Sequence, residues 1–283
     1  MANSNFTSVE ILPSPVVPAK ISASDSSKRC VGSLIVNADD WGCDQKTTDR
    51  IFECVTVGAV SSTSAMVFME DSARSAALAR EHNVDCGLHL NLTTSFSAPR
   101  LSTTLREHQR RLSGFLKSHR FAPAVYHPFL ASSFEYVTRS QLDEFERLYG
   151  IPAGRIDGHH HMHLSANVIA QKLLPAGTIV RRSFSFESGE KSAINRWYRT
   201  RQAKRVARRH RTTEFLFSLR PLQPASRLER IFNLALGADV EVETHPVNED
   251  EYRFLFGEEL MHYGSSIGVS RGYCLRSDSS QGA

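Results

Sequence analysis

Short apolar runs alternate along the chain with longer stretches in which apolar residues recur every three or four positions. The runs at 33–38, 62–69, 85–91, 154–158, 177–182, 214–218 and 239–244 predict strands, with 268–274 as an eighth. Between them, 44–57 reads as a helix entered at Asp44 and stopped at Gly58, and 71–82 as one capped by Asp71. A third helix is expected over 139–149, capped by Thr138 or Ser140 and ended by Gly150 before Ile151-Pro152. Alternation of strand and helix predicts an α/β fold with a parallel sheet.

The polar residues in this pattern gather at strand ends. Asp39-Asp40 close the first run, His89 lies near the end of the third, His159 follows Arg155-Ile156-Asp157, and His245 follows Val240-Glu241-Val242-Glu243-Thr244. In a (β/α) barrel the C-terminal strand ends open on one face, where residues far apart in sequence meet. The chain has 283 residues, of which 41% are hydrophobic. Its first thirty or so are rich in Ser and Pro and lack helical periodicity, and removing them leaves about 250, the usual size of such a barrel. The expected organisation is a flexible tail over 1–30, a single (β/α) barrel-like domain over 31–275 and a C-terminal tail over 276–283.

Composition narrows the setting. No basic start followed by a continuous apolar region marks a secretory signal, and no apolar run approaches membrane-spanning length. Cys30, Cys43, Cys54, Cys86 and Cys274 are odd in number and never spaced as CxxC, which argues against a disulfide framework and a thiolate zinc site. A cytoplasmic protein with reduced thiols is expected, with no sugar on the sequons at Asn5 and Asn91. The net charge of +4 is mild, but Lys191 to Arg211 concentrates cations without an acidic residue between them. That stretch reads as an amphipathic helix with Ile194, Trp197, Tyr198 and Val206 inward and its cations in solvent. As a binding face it would serve nucleic acid, an anionic lipid surface, an acidic polymer or polysaccharide, or a homodimer contact; no recognisable nucleic-acid module accompanies it.

Acidic residues just past a buried strand are costly unless they hold a metal or move a proton. One carboxylate with two imidazoles leaves positions open for water and substrate, as in a catalytic divalent site, and Asp40, His89 and His159 are the candidate ligands. Zinc, non-haem iron, magnesium and manganese all remain open on this donor set. Extended alternation over His159-His160-His161-Met162-His163 would turn His159, His161 and His163 to one side. Arg181-Arg182, at another strand end, is read either as a sugar or anion contact or as a surface cation pair. Trp41, Phe184 and Phe186 are candidates for stacking on a sugar, Trp41 equally a wall of the core, and Asn91 is a further candidate for substrate contact.

Four segments in order, Asn37-Ala38-Asp39-Asp40-Trp41-Gly42, Gly87-Leu88-His89-Leu90-Asn91-Leu92-Thr93, Ile156-Asp157-Gly158-His159-His160-His161-Met162-His163 and Thr244-His245-Pro246, resemble the YdjC-type carbohydrate deacetylases. The likeness runs from about residue 33 to 275. It implies a (β/α) barrel-like deacetylase of N-acetylated sugars, typically chitooligosaccharides, with one divalent metal, magnesium or zinc. By motif position it makes Asp40, His89 and His159 the ligands, the same set as the residue chemistry. Asp39 is then expected as the base that activates water and His245 as the acid that protonates the departing amine. Departures are Trp41 for the usual Phe, Gly158 where Ser is common and Val247 where Gly is frequent. The readings set against this one are a different metal-dependent amidohydrolase, an iron oxygenase, and a non-catalytic binder using the 191–211 helix.

Overall fold

The computed structural model describes residues 32–186, 192–257, 260, 268–270, 272, 273 and 275. The expected tails at 1–30 and 276–283, with Asn5, Cys30 and Cys274, lie outside them, as does the side chain of Ile194. Seven strands form one parallel sheet: β1 (Ser33–Trp41), β2 (Ser62–Ala65), β3 (Cys86–Leu90), β4 (Arg155–Gly158), β5 (Ile179–Val180), β6 (Phe215–Ser218) and β7 (Asp239–Thr244). They lie in the order β5-β4-β3-β2-β1-β7-β6. The two outer strands turn toward each other, because Val180 N donates to Arg211 O and Ser185 N to Leu216 O, each at 2.9 Å. The sheet is therefore curled and barrel-like. Where an eighth strand was expected, Val269 makes one parallel bridge to Leu34, and no strand forms among the described residues.

Parallel neighbours need long crossovers, supplied by α1 (Gln45–Thr56), α2 (Ser72–His82), α3 (Thr103–Ser118), α4 (Ala131–Tyr149), α5 (Ala166–Ala170), α6 (Ala193–Ala207) and α7 (Ala225–Leu234), while α8 (Glu249–Phe256) follows β7. Asp44 caps α1 by accepting from Thr47 N at 2.9 Å. Asp71 precedes α2 without capping it, since its carboxylate is taken by a two-pronged contact with Arg74. The third expected helix begins eight residues early, at Ala131. Thr138 is fully buried inside it rather than at its end, and Gly150, at φ 76°, closes it as expected. The second strand stops at Ala65, short of the expected 69, and Phe68 stands at φ 62°, outside extended geometry.

Period-two alternation splits the sheet into two faces of opposite character. Leu34, Val36, Ala38, Leu88, Leu90, Ile156, Val180, Val240 and Val242 belong to the apolar core packed under the helices. Their strand neighbours Asn37, Asp39, His89, Asp157, Glu241 and Glu243 are buried on the inner face instead. The barrel interior is thus polar, and the stability of the fold rests on the sheet–helix layer, where truncating a Leu to Ala costs about 2–5 kcal/mol. Burial pushes the thiols of Cys43, Cys54 and Cys86 up to about 12, so these free cysteines stay neutral near pH 7. No helix among the described residues is long and apolar enough to cross a membrane.

Candidate metal centre

In a regular strand Asp39 and Asp40 would face opposite ways. Between Ala38 and Trp41 the pairing with β2 slips, three steps on β1 answering two on β2, and Asp40 adopts φ 69°. Such a bulge re-aims a side chain and costs backbone strain, a combination common at functional sites. Here it brings both carboxylates to the same end of the barrel.

Asp40 Oδ1 lies 3.3 Å from His89 Nε2 and 3.0 Å from His159 Nδ1, and one ligand atom from each of the three falls within 4.8 Å of the others. On the far side of its ring, His89 Nδ1 is 2.7 Å from Asp157 Oδ1. That contact follows from register, since His89 and Asp157 are direct partners on β3 and β4. Burial works against a charged His89, but the carboxylates of Asp39, Asp157 and Asp40 outweigh it and hold the imidazole well above its ordinary range. Burial likewise opposes ionised Asp40, and the hydrogen bonds of His159 and His89 overcome it, lowering Asp40 well below the carboxylate range.

The donor set fits a divalent cation. With Asp157 taking the Nδ1 proton, the Nε2 lone pair of His89 faces the Asp40 carboxylate, an acceptor–acceptor contact that only a proton or a cation relieves. A carboxylate behind a ligating imidazole is the usual way of fixing its tautomer and strengthening it as a donor.

Arg181 matches neither expectation for it, being 1% exposed. Its guanidinium grips Asp39 through two bonds of 2.6 and 2.7 Å, and reaches Glu241 at 2.7 Å, Asp157 at 3.0 Å and Glu243 at 3.2 Å. The Arg181 guanidinium is thus committed to the interior, while its neighbour Arg182 is half-buried and donates to Thr213 O at 3.4 Å. Four carboxylates share one cation. Burial, with Asp39 close by, therefore raises Glu243 well above the usual carboxylate range, and burial raises Glu241 as well. Arg155 adds a second buried guanidinium, bonded to Asn37 Oδ1 at 2.8 Å and stacked 4.4 Å over the ring of Tyr273. Tyr273 in turn donates its hydroxyl to Glu241 at 2.6 Å.

The histidine run is not extended. His160 and His161 both sit near φ 55–58° in a tight turn over His159–Leu164, so alternation fails and each imidazole finds its own partner. His159 meets Asp40; His160 Nδ1 contacts Thr93 Oγ1 at 3.0 Å. His161 packs edge-on against Phe184 with its Nε2 3.5 Å from Glu243, and His163 donates Nε2–H to Arg181 O at 2.9 Å. Only His159 of the run joins Asp40 and His89.

His245, at the end of β7, is half-buried, and its side chain groups with Asp39 and Glu243 within 4.8 Å. Its backbone N–H is fixed by Glu251 at 2.7 Å. Trp41 is fully buried beside Phe52 and has no face to offer a sugar, so its core role holds. Asn91, also fully buried, organises its own loop: its amide donates to Thr94 O and its Oδ1 accepts from Thr93 N and Thr94 N. The Asn91 side chain is thus committed to the backbone of its own loop. Sequence reasoning gave no role to Asp157, Glu241 or Glu243. Their signal was carboxylates placed inside otherwise apolar strands, as in Val240-Glu241-Val242-Glu243.

Comparison with known proteins gives the family. The family model described as YdjC-like protein matches residues 33–262. A chitooligosaccharide deacetylase of Proteus mirabilis is 30% identical over 150 residues, covering 50% of this chain and 57% of that protein. A carbohydrate deacetylase of Homo sapiens is 33% identical over 144 residues, 48% of this chain and 42% of its own length. The chain thus spans about half the length of the curated relatives it matches. A solved protein of Enterococcus faecalis V583, named as a candidate for cellobiose-phosphate cleavage, superposes with a TM-score of 0.58 at 17% identity, covering 84% of this chain and 95% of that one. At that identity the likeness concerns the fold.

Proposed function

Because the chain belongs to the YdjC-like family, we propose that it is a metal-dependent deacetylase that hydrolyses the acetamide of N-acetylated sugars or oligosaccharides. The observation that carries this reading is the meeting of Asp40, His89 and His159 at the mouth of the barrel with Asp39 and His245 beside them. Asp40, His89 and His159 would hold the ion, and two imidazoles with one carboxylate suit zinc better than magnesium. When bound, such an ion supplies Lewis acidity, polarising a carbonyl and lowering the pKa of water.

The protein groups then divide the proton work. Asp39 takes a proton from the attacking water as the new C–O bond forms. Arg181 and Asn37 fix the Asp39 carboxylate in place, both donating to Oδ1, while Oδ2 keeps a lone pair beyond the one Arg181 uses. His245 gives a proton to the sugar nitrogen as the C–N bond breaks, releasing acetate and a free amine. Such acid and base roles each contribute about 10²–10⁴-fold.

Acetate release from N-acetylated oligosaccharides tests the proposal. Activity should vanish on chelation and return with zinc or magnesium, and Asp39→Asn and His245→Ala should each lose it on the scale just given. Hydrolysis that persists in chelator, or near-normal turnover in either variant, would remove the corresponding part of the mechanism.

A further inference from the structure

The basic stretch remains outside the chemistry above. Within it Ala193–Ala207 form α6, and Trp197 and Tyr198 are 62% and 43% exposed, contrary to the expectation that they pack inward; Val206 does so. Trp197, Tyr198, Arg201, Lys204, Arg205 and Arg208 line one cavity of about 520 Å³, with Leu164 and Ile169 on the opposite wall. Their spacing puts the aromatic pair and the cations along one side of the helix, over a length of about 16 Å. All four cations are exposed, and no acidic residue occurs between Lys191 and Arg211.

Its position ties this groove to the metal centre. Leu164 ends the turn that begins with His159, and the side chain of Gln202 donates to Leu164 O at 2.8 Å. Ser183, just beyond β5, donates to Arg199 O at 3.0 Å. The helix is thus fastened to two of the segments that follow strand ends at the barrel mouth.

We propose that this groove binds the anionic units of a longer glycan, so that the substrate class is an N-acetylated sugar chain carrying carboxylate or sulfate groups; the substrate half of the proposal rests on the deacetylase reading. Charge complementarity selects an anion, and an elongated groove suits a chain better than a flat bilayer. An aromatic pair at one end matches the apolar face of a sugar ring, while guanidinium groups pair with carboxylate or sulfate oxygens in two-pronged fashion. A neutral chitooligosaccharide would leave the cations unused. Each deacetylation adds one ammonium to the chain, so the product carries less net negative charge and is held less tightly.

Binding is measured on the full chain by calorimetry at low salt. The probes are an oligosaccharide alternating N-acetylhexosamine with uronate, a neutral N-acetylated oligosaccharide of equal length, and a single-stranded oligonucleotide of equal charge. The uronate chain should bind about tenfold more tightly than the neutral one, an advantage that shrinks with added salt. Arg201→Ser with Arg205→Ser should abolish the advantage, Arg201→Lys with Arg205→Lys should keep much of it, and metal content should stay unchanged in both. Equal affinity for the two glycans, an unchanged advantage in the serine variant, or tighter binding of the oligonucleotide overturns the assignment of this groove to a glycan. Acetate release from the same uronate chain is followed separately. Groove-dependent binding without hydrolysis of any N-acetylated chain would defeat the deacetylase reading and leave the binding surface, whereas hydrolysis of neutral and anionic chains with equal KM would do the reverse.

Discussion

His89 and Asp157 face each other as register partners on adjacent parallel strands, with Nδ1 and Oδ1 2.7 Å apart. The contact decides which nitrogen of His89 is free for a cation. Asp157→Asn should therefore weaken zinc binding by about 10–100-fold, the usual cost of losing the partner behind a ligating imidazole. Competition against a chromogenic chelator measures it. Affinity equal to wild type would mean that His89 is oriented by other contacts.

Arg181 holds four carboxylates at once, and its removal leaves a buried, uncompensated charge. Arg181→Met should cost about 3–5 kcal/mol of stability, read by urea unfolding, because breaking one side of a buried ionic network is far more costly than replacing all of it. Arg181→Lys should recover only part, since an ammonium cannot reproduce the two-pronged grip on Asp39. A variant as stable as wild type would show that Arg181 is not the cation that balances this interior.

Burial lowers His163 to about 4, below the ordinary 6.5, so the folded chain keeps it neutral where the unfolded chain takes up a proton. The unfolded state binds more protons between pH 6.5 and 4, and stability therefore falls as pH drops through that window. The loss attributable to this one group is about 3 kcal/mol. His163→Gln, which keeps a donor toward Arg181 O, should flatten that part of the curve in unfolding experiments between pH 7 and 4. An unchanged slope would assign the acid sensitivity to other groups.

Gly158 has an ordinary extended backbone at φ −169°, yet a Cβ there would come within 2.9–3.0 Å of His163. The constraint is space, not conformation. Gly158→Ala should lower the midpoint of thermal unfolding, at a cost of about 1–3 kcal/mol, by pressing on His163. If the variant melts with wild type, the turn yields more easily than its packing implies.

How much of this was readable in the chain depends on the kind of constraint. Strand positions and the convergence of Asp40, His89 and His159 followed from short apolar runs and from polar residues at strand ends, both local signals. The bulge that turns Asp40 inward left no such trace, because it arises from how β1 meets β2. Left-handed residues within His159–Leu164 broke an alternation that the sequence permitted. Arg181 was misjudged because a charged residue at a strand end reads as exposed, and its burial depends on carboxylates contributed by three other strands. Trp197 and Tyr198 were assigned to the core on hydrophobicity alone, while α6 offers them to a groove.

The central claim is that Asp40, His89 and His159 form one metal site, and metal content tests it most directly. Protein loaded with zinc and freed of excess ion should hold about one equivalent, as a single three-ligand catalytic site does, and the double variant His89→Ala, His159→Ala should hold none while remaining folded. Equal metal in both proteins would contradict the account, because the ion would then lie elsewhere and the chemistry assigned to the barrel mouth would have no centre.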